Sequence, residues 1–140
     1  MVLSLLEKII CGGYFMALYE SGEMYLETIL VLYKKGAERV RAIDIVKEMN
    51  FSKPSVSIAL SNLKKEGYVS VDANGTVELT DTGLKIAKKI YERHVILSQM
   101  LIDLGVSEKT ASEDACKVEH VISDETFKAI KKHYKNNTNK

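Results

Sequence analysis

The sequence is poor in cysteine and proline and almost neutral, and each shortage closes a route. Two cysteines with no Cys-x-x-Cys pair do not make a disulfide scaffold and point to a reducing compartment, the cytoplasm. A net charge of +1 neither demands nor excludes nucleic acid, so any DNA contact has to come from a local basic patch. There is no glycine-rich phosphate loop and too little strand pattern for a βαβ nucleotide-binding enzyme. No internal repeat or linker breaks the chain, and 140 residues suffice for one compact domain or two small ones sharing a core.

The apolar opening "MVLSLLEKIICGGYFMALYE" is not read as a membrane span or a secretion signal. Glu7 and Lys8 interrupt it, and it has neither a basic n-region nor a small-residue cleavage site. Gly12-Gly13 followed by Tyr14-Phe15-Met16 has another reading. Glycine codons can spell a purine-rich ribosome-binding sequence, with two codons before an ATG. The expectation is that residues 1–15 are an upstream extension and that the native start is Met16; peptides containing Leu6 or Cys11 in protein from the natural locus would overturn it.

What is present is a run of helices broken by one hairpin. Ser21 is the expected N-cap of a helix over "EMYLETILVLYKKG", with apolar residues at 26, 29, 30 and 33. "VRAIDIVKEMN" gives a short helix and Asn50-Phe51 a tight turn. In "SKPSVSIALSNLKKEG", Ser52 is the N-cap and Pro54 lies in the first turn, where its missing N–H does no harm. Its apolar stripe is Val56, Leu60 and Leu63, and Gly67 ends it. "YVSVDANGTVELT" then alternates, and Asn74-Gly75 favours a type I′ hairpin turn. A long helix follows to Gly105, then one capped by Ser107 through about Val121, one capped by Ser123, and a polar tail, 136–140.

Two helices, a tight turn and a hairpin make a winged helix-turn-helix. The chain is therefore mainly α, with a DNA-binding domain over 16–82 and a helical domain over 83–135. On the reading helix, Pro54, Ser55, Ser57, Ile58, Ser61 and Asn62 lie opposite the buried stripe. Small hydroxyl residues approach bases and phosphates closely. Ile58 is either a stray exposed apolar residue or a contact to a thymine methyl. Ser52 opens the same helix, and Lys53, Lys64, Lys65 and Arg41 are the candidate phosphate contacts, although lysines on a helix are usually only a solvated face.

Chemistry concentrates in "DACKVEH". Cys116, Glu119 and His120 fall at i, i+3 and i+4, on one side of a helix, beside an apolar stripe of Ala111, Ala115, Val118 and Ile122. Singly, each has an ordinary role: an inert small hydrophobe, a solvated carboxylate, a hydrogen-bonded histidine. Together they offer a thiolate, a carboxylate and an imidazole to a transition metal. His94 lies on the stripe of the long helix with Ala87, Tyr91 and Leu101, and Glu27 lies one turn after Met24 on the first helix. A cysteine nucleophile with His120 as its base is the catalytic alternative. The two share one helix with no oxyanion donors or pocket in view, so the chain is not read as an enzyme.

"SGEMYLETI", the winged helix, "LTDTGLKIAKKIYERH" and "CKVEHVISDE", in this order, resemble the diphtheria toxin repressor family of metal-dependent transcriptional regulators. The resemblance runs from about Ser21 to His133. It is to the short form, similar to the manganese transport regulators, without the SH3-like domain. It implies metal ligands at Met24, Glu27, His94, Cys116, Glu119 and His120. Met24, Cys116, Glu119 and His120 resemble the primary site of the iron-responsive branch. The partners of His94 in that branch's ancillary site are replaced by Ser98 and Ser112, and Glu27 with His94 match the manganese branch instead.

Thiolate and thioether favour softer metals than manganese, while carboxylates suit it, so Fe(II) or Mn(II) is expected, with Zn(II) or Co(II) binding in vitro. The resemblance further implies a homodimer paired through the helices after about Tyr91. It would read a near-palindromic double-stranded operator and repress metal-uptake genes when metal is plentiful. No membrane partner is expected. The alternative is a metal-independent winged-helix regulator sensing a small ligand or oxidation at Cys116.

Overall fold

The structure, a computed structural model, describes the backbone over residues 14–138 and side chains over 21–137. The expected upstream extension, 1–15, falls almost wholly outside the described residues. Among them are six helices and one two-stranded sheet: α1 (Tyr14–Lys34), α2 (Ala42–Met49), α3 (Lys53–Lys65), β1 (Val69–Val71), β2 (Val77–Leu79), α4 (Asp81–Asp103), α5 (Glu108–Val118) and α6 (Asp124–Thr138). The chain forms two compact units, one ending at Lys89 and one beginning at Ile90, so α4 contributes to both. The architecture is a winged helix-turn-helix followed by a helical domain. No helix among the described residues is long and apolar enough to cross a membrane.

In the first unit, α1 starts at Tyr14, so Ser21 lies inside the helix and is not its N-cap. The preceding "YFMALYE" has no glycine or proline and includes the good helix formers Met, Ala, Leu and Glu, and an interior serine costs only tenths of a kcal/mol, roughly. α2 opens at Arg41, whose N–H donates to the Asp44 carboxylate at 2.8 Å. It closes at Asn50, which adopts the left-handed conformation at φ 56°. α3 is capped by Ser52, whose hydroxyl oxygen accepts from the Ser55 N–H. The core gathers Leu26, Ile29, Val40, Ile45, Val56 and Val77, all essentially inaccessible.

The wing pairs Val69 with Leu79 and Val71 with Val77. Its turn is not type I′. That geometry requires positive φ at Asn74 as well as Gly75, and only Gly75 has it, at φ 80°. Instead the Gly75 N–H donates to the Asp72 carbonyl at 3.0 Å. The Asp72 carboxylate accepts from the N–H groups of Asn74 and Thr76. This Asx-stabilised loop over 73–75 leaves the left-handed position to the glycine. The wing is anchored by β2, where the Val77 N–H donates to Val40 and the Tyr33 hydroxyl donates to the Val77 carbonyl.

α4 begins at a close approach to the backbone of Tyr68. The Tyr68 carbonyl accepts from the Thr80 N–H at 3.1 Å. A Cβ on Gly83 would lie 2.0 Å from that oxygen, so only glycine fits.

In the second unit, Ile90, Leu97, Ala111, Ala115 and Phe127 are buried, together with Arg93 and Glu119. α5 ends at Val118, earlier than the expected Val121, with Glu119 as its C-cap. The N–H groups of Val121 and Ile122 both turn back to the Val118 carbonyl, closing the helix tightly. The Ser123 hydroxyl oxygen accepts from the Thr126 N–H and caps α6. α6 runs on to Thr138, so the tail expected at 136–140 is helical as far as that residue.

Candidate metal centre and nucleic-acid interface

Glu119 is the centre of the second unit's polar chemistry. The sequence placed it beside the apolar stripe; the structure buries it completely. Its Oε2 lies 2.8 Å from His94 Nδ1, and its Oε1 lies 3.2 Å from His120 Nε2. The first contact is a hydrogen bond. The second is close but outside hydrogen-bonding geometry, so Oε1 has no hydrogen-bond partner. Burial pushes the Glu119 carboxyl up, but the contacts with His120 and His94 outweigh it and hold the group below the usual carboxylate range. A buried anion between two imidazoles is the result.

Cys116 completes the group. Its Sγ, a Glu119 carboxylate oxygen and a His120 ring nitrogen all lie within 4.8 Å of one another. Bonds of roughly 2.0–2.3 Å from one ion to sulfur, nitrogen and oxygen leave such donors roughly 3–4.5 Å apart. The residues therefore fit a transition metal: three convergent donors, one a fully buried carboxylate with an oxygen that makes no hydrogen bond. Cys116 is half-buried and not in a disulfide. His94 is partly exposed, and the Ser112 hydroxyl lies 3.5 Å from its Nε2. Met24 and Glu27 lie on α1 in the first unit, both half-buried.

The exposed face of α3 follows its periodicity. Val56, Leu60 and Leu63 are buried. Arg41, Ser52, Lys53, Pro54, Ser55, Ser57, Ile58, Ser61, Asn62, Lys64 and Lys65 are all exposed. Ile58 is 64% exposed, a large aliphatic side chain held in solvent on a polar face. Ser52 and Ser55 are tied to each other through their hydroxyls at 2.8 Å, which fixes the start of the helix.

Two neighbours of these sites escaped sequence reading. Arg93 is buried beneath the α5–α6 turn; the available signal was an arginine in register with Ile90 and Leu97 on an apolar stripe. Arg39 reaches the wing, with its Nε donating to the Thr76 hydroxyl at 3.0 Å, and nothing in the local sequence announces it.

Residues 17–77 match the family profile described as iron dependent repressor, N-terminal DNA binding domain. Residues 80–140 match the one described as iron dependent repressor, metal binding and dimerisation domain. An uncharacterised HTH-type transcriptional regulator of Methanocaldococcus jannaschii is 35% identical over 113 residues, covering 80% of this chain and 90% of that protein. The diphtheria toxin repressor of Corynebacterium diphtheriae is 31% identical over 116 residues, covering 82% of this chain and 51% of that protein. Among solved structures, the manganese regulator SloR superposes with a TM-score of 0.72 at 27% identity, covering 80% of this chain and 52% of that one. The chain thus spans about half the length of the last two.

Proposed function

The chain belongs to the iron-dependent repressor family, and we propose that it is a transcriptional repressor that senses Fe(II) or Mn(II) and controls metal-uptake genes. The observation that carries this reading is the convergence of Cys116, Glu119 and His120 on one point around a buried carboxylate. It occurs in a chain whose α3 presents hydroxyls, an amide and lysines to solvent. Cys116, Glu119 and His120 are the core ligands, joined by His94. Met24 and Glu27, on the helix that opens the DNA-binding unit, are assigned as ligands on the family resemblance. A divalent metal held there would supply positive charge beside the Glu119 carboxylate and the Cys116 sulfur. His120 must be neutral to ligate, which makes binding proton-linked.

α3 is the recognition helix. Ser57, Ile58, Ser61 and Asn62 face the bases, and Lys53, Lys64, Lys65 and Arg41 neutralise phosphates. The second unit exposes Val95, Leu104 and Val121, apolar surface that a homodimer would cover. A two-fold dimer presents two recognition helices to a near-palindromic operator. Metal occupancy and operator binding are then linked, typically by about 1–3 kcal/mol.

The test is operator binding by fluorescence anisotropy, using a duplex selected from a random pool. It is titrated with Fe(II) (anaerobically), Mn(II) and Zn(II), alongside the metal content of the purified protein. Metal should tighten binding and chelation should reverse it. Binding that survives chelation would return the chain to the metal-independent alternative.

A further inference from the structure

Arg93 is only 4% exposed, although it is an arginine on a helix. Its Nη1 donates to the Glu119 carbonyl at 3.0 Å and to the Ile122 carbonyl at 2.9 Å. Its Nη2 donates to Asp124 Oδ1 at 2.5 Å, and the Phe127 ring centroid lies 5.4 Å from its Cζ. One guanidinium therefore holds the C-cap of α5, the connection that follows and the first turn of α6. The Glu119 carbonyl is one that a helix leaves without a partner at its C-terminus, and the Ile122 carbonyl belongs to the connection beyond it.

Stability alone does not call for a charge here. Its ion partner Asp124 is 62% exposed, and an ion pair open to water on one side contributes little. An arginine supplies geometry instead, because its planar fork fixes several acceptors at once. What it fixes is the turn that carries the candidate ligands. Cys116 is on the last turn of α5, Glu119 is its C-cap and His120 follows. Helix ends fray, and donors on a fraying end do not converge on one point. α4 grips Glu119 twice: Arg93 holds its backbone carbonyl, and the adjacent His94 holds its carboxylate.

We propose that Arg93 is the positioning residue of the metal centre, fixing the α5–α6 turn so that Cys116, Glu119 and His120 converge before metal arrives. It touches no ligand atom and acts through the backbone of Glu119. The proposal rests on the ligand assignment above, and the experiment separates the two.

Co(II) is the probe, bound to the full-length protein as wild type, Arg93→Lys and Asp124→Asn. Arg93→Lys keeps the charge and loses the fork. Asp124→Asn keeps the fork and loses its anionic anchor at a largely exposed side chain, so it serves if the first variant does not fold. Arg93→Lys should lower Co(II) affinity at least about tenfold, the range for outer-shell partners of metal ligands. It should also shift the ligand-field bands at saturating Co(II), with Asp124→Asn changing both in the same direction. A merely structural role would lower the melting temperature and leave the bands of the saturated protein unchanged. Folded variants with wild-type affinity and bands overturn the proposal. If wild type itself shows no thiolate-to-cobalt charge-transfer band, the ligand assignment fails and the proposal falls with it.

Discussion

Glu119→Gln separates binding from folding at the metal centre. The substitution keeps the shape of a wholly buried side chain and removes its charge. In the metal-free protein it gives up a charge-assisted bond to His94, worth about 1.5–3 kcal/mol. It also relieves the desolvation of a buried anion, a penalty of several kcal/mol, roughly. The contacts with His120 and His94 outweigh the burial penalty, so metal-free stability should fall, but modestly, because the two effects largely oppose each other. Metal binding should not be spared. Losing an anionic ligand is expected to weaken affinity at least about 100-fold, beyond what outer-shell changes do.

At a free metal concentration near 100 times the wild-type Kd, the wild type gains about 2.7 kcal/mol. The variant, then near its own Kd, gains about 0.4 kcal/mol. For a chain of this size, about 3 °C per kcal/mol converts these to shifts of about 8 °C and about 1 °C. Thermal melts at fixed protein concentration, with and without Mn(II), measure both. A metal-dependent shift of several degrees retained by the variant would refute Glu119 as a ligand. A metal-free melting temperature lowered by about 10 °C or more would show that the carboxylate serves the fold rather than the metal.

Other outcomes follow from single features. Lys53→Ala should weaken binding to all sequences alike and reduce the slope of log affinity against log salt by about 0.9, one phosphate's worth; an unaltered slope removes Lys53 from the backbone contacts. Gly83→Ala places a Cβ 2.0 Å from the fixed Tyr68 carbonyl and should destabilise the first unit by about 1–3 kcal/mol or more in chemical denaturation; wild-type stability would contradict that approach. Tyr25 is buried against Phe51, and burial pushes its phenol up to about 12 from 10.0. The folded state keeps that proton when the unfolded chain has lost it, so stability should fall as pH rises above about 10. Ultraviolet titration of Tyr25→Phe against wild type should assign the late-ionising phenol to Tyr25, and ordinary ionisation there would contradict its burial.

Local chemistry made much of this legible. The spacing of Val56, Leu60 and Leu63 fixes which face of α3 is buried, and all its candidate DNA contacts are exposed. The i, i+3, i+4 spacing predicts that Cys116, Glu119 and His120 share a side, and they converge although α5 ends at Val118. Where a rule of short range met a longer-range demand, the longer range prevailed. Ser21 has the chemistry of a cap, but the helix formers before it carry α1 on to Tyr14. Asn74-Gly75 suits a type I′ turn, but the Asp72 carboxylate captures the Asn74 and Thr76 amides and selects another loop.

The sequence by itself determined the order of elements, the exposed face of α3 and the cysteine, carboxylate and imidazole offered together. Periodicity and capping depend on neighbours within a few positions, and those are written in order along the chain. The tertiary structure decided how deep Glu119 lies and that Arg93 and His94, far earlier in the chain, hold it from two sides. Burial and hydrogen-bond partners across such a separation depend on how α4 packs against the end of α5, and no local pattern encodes that.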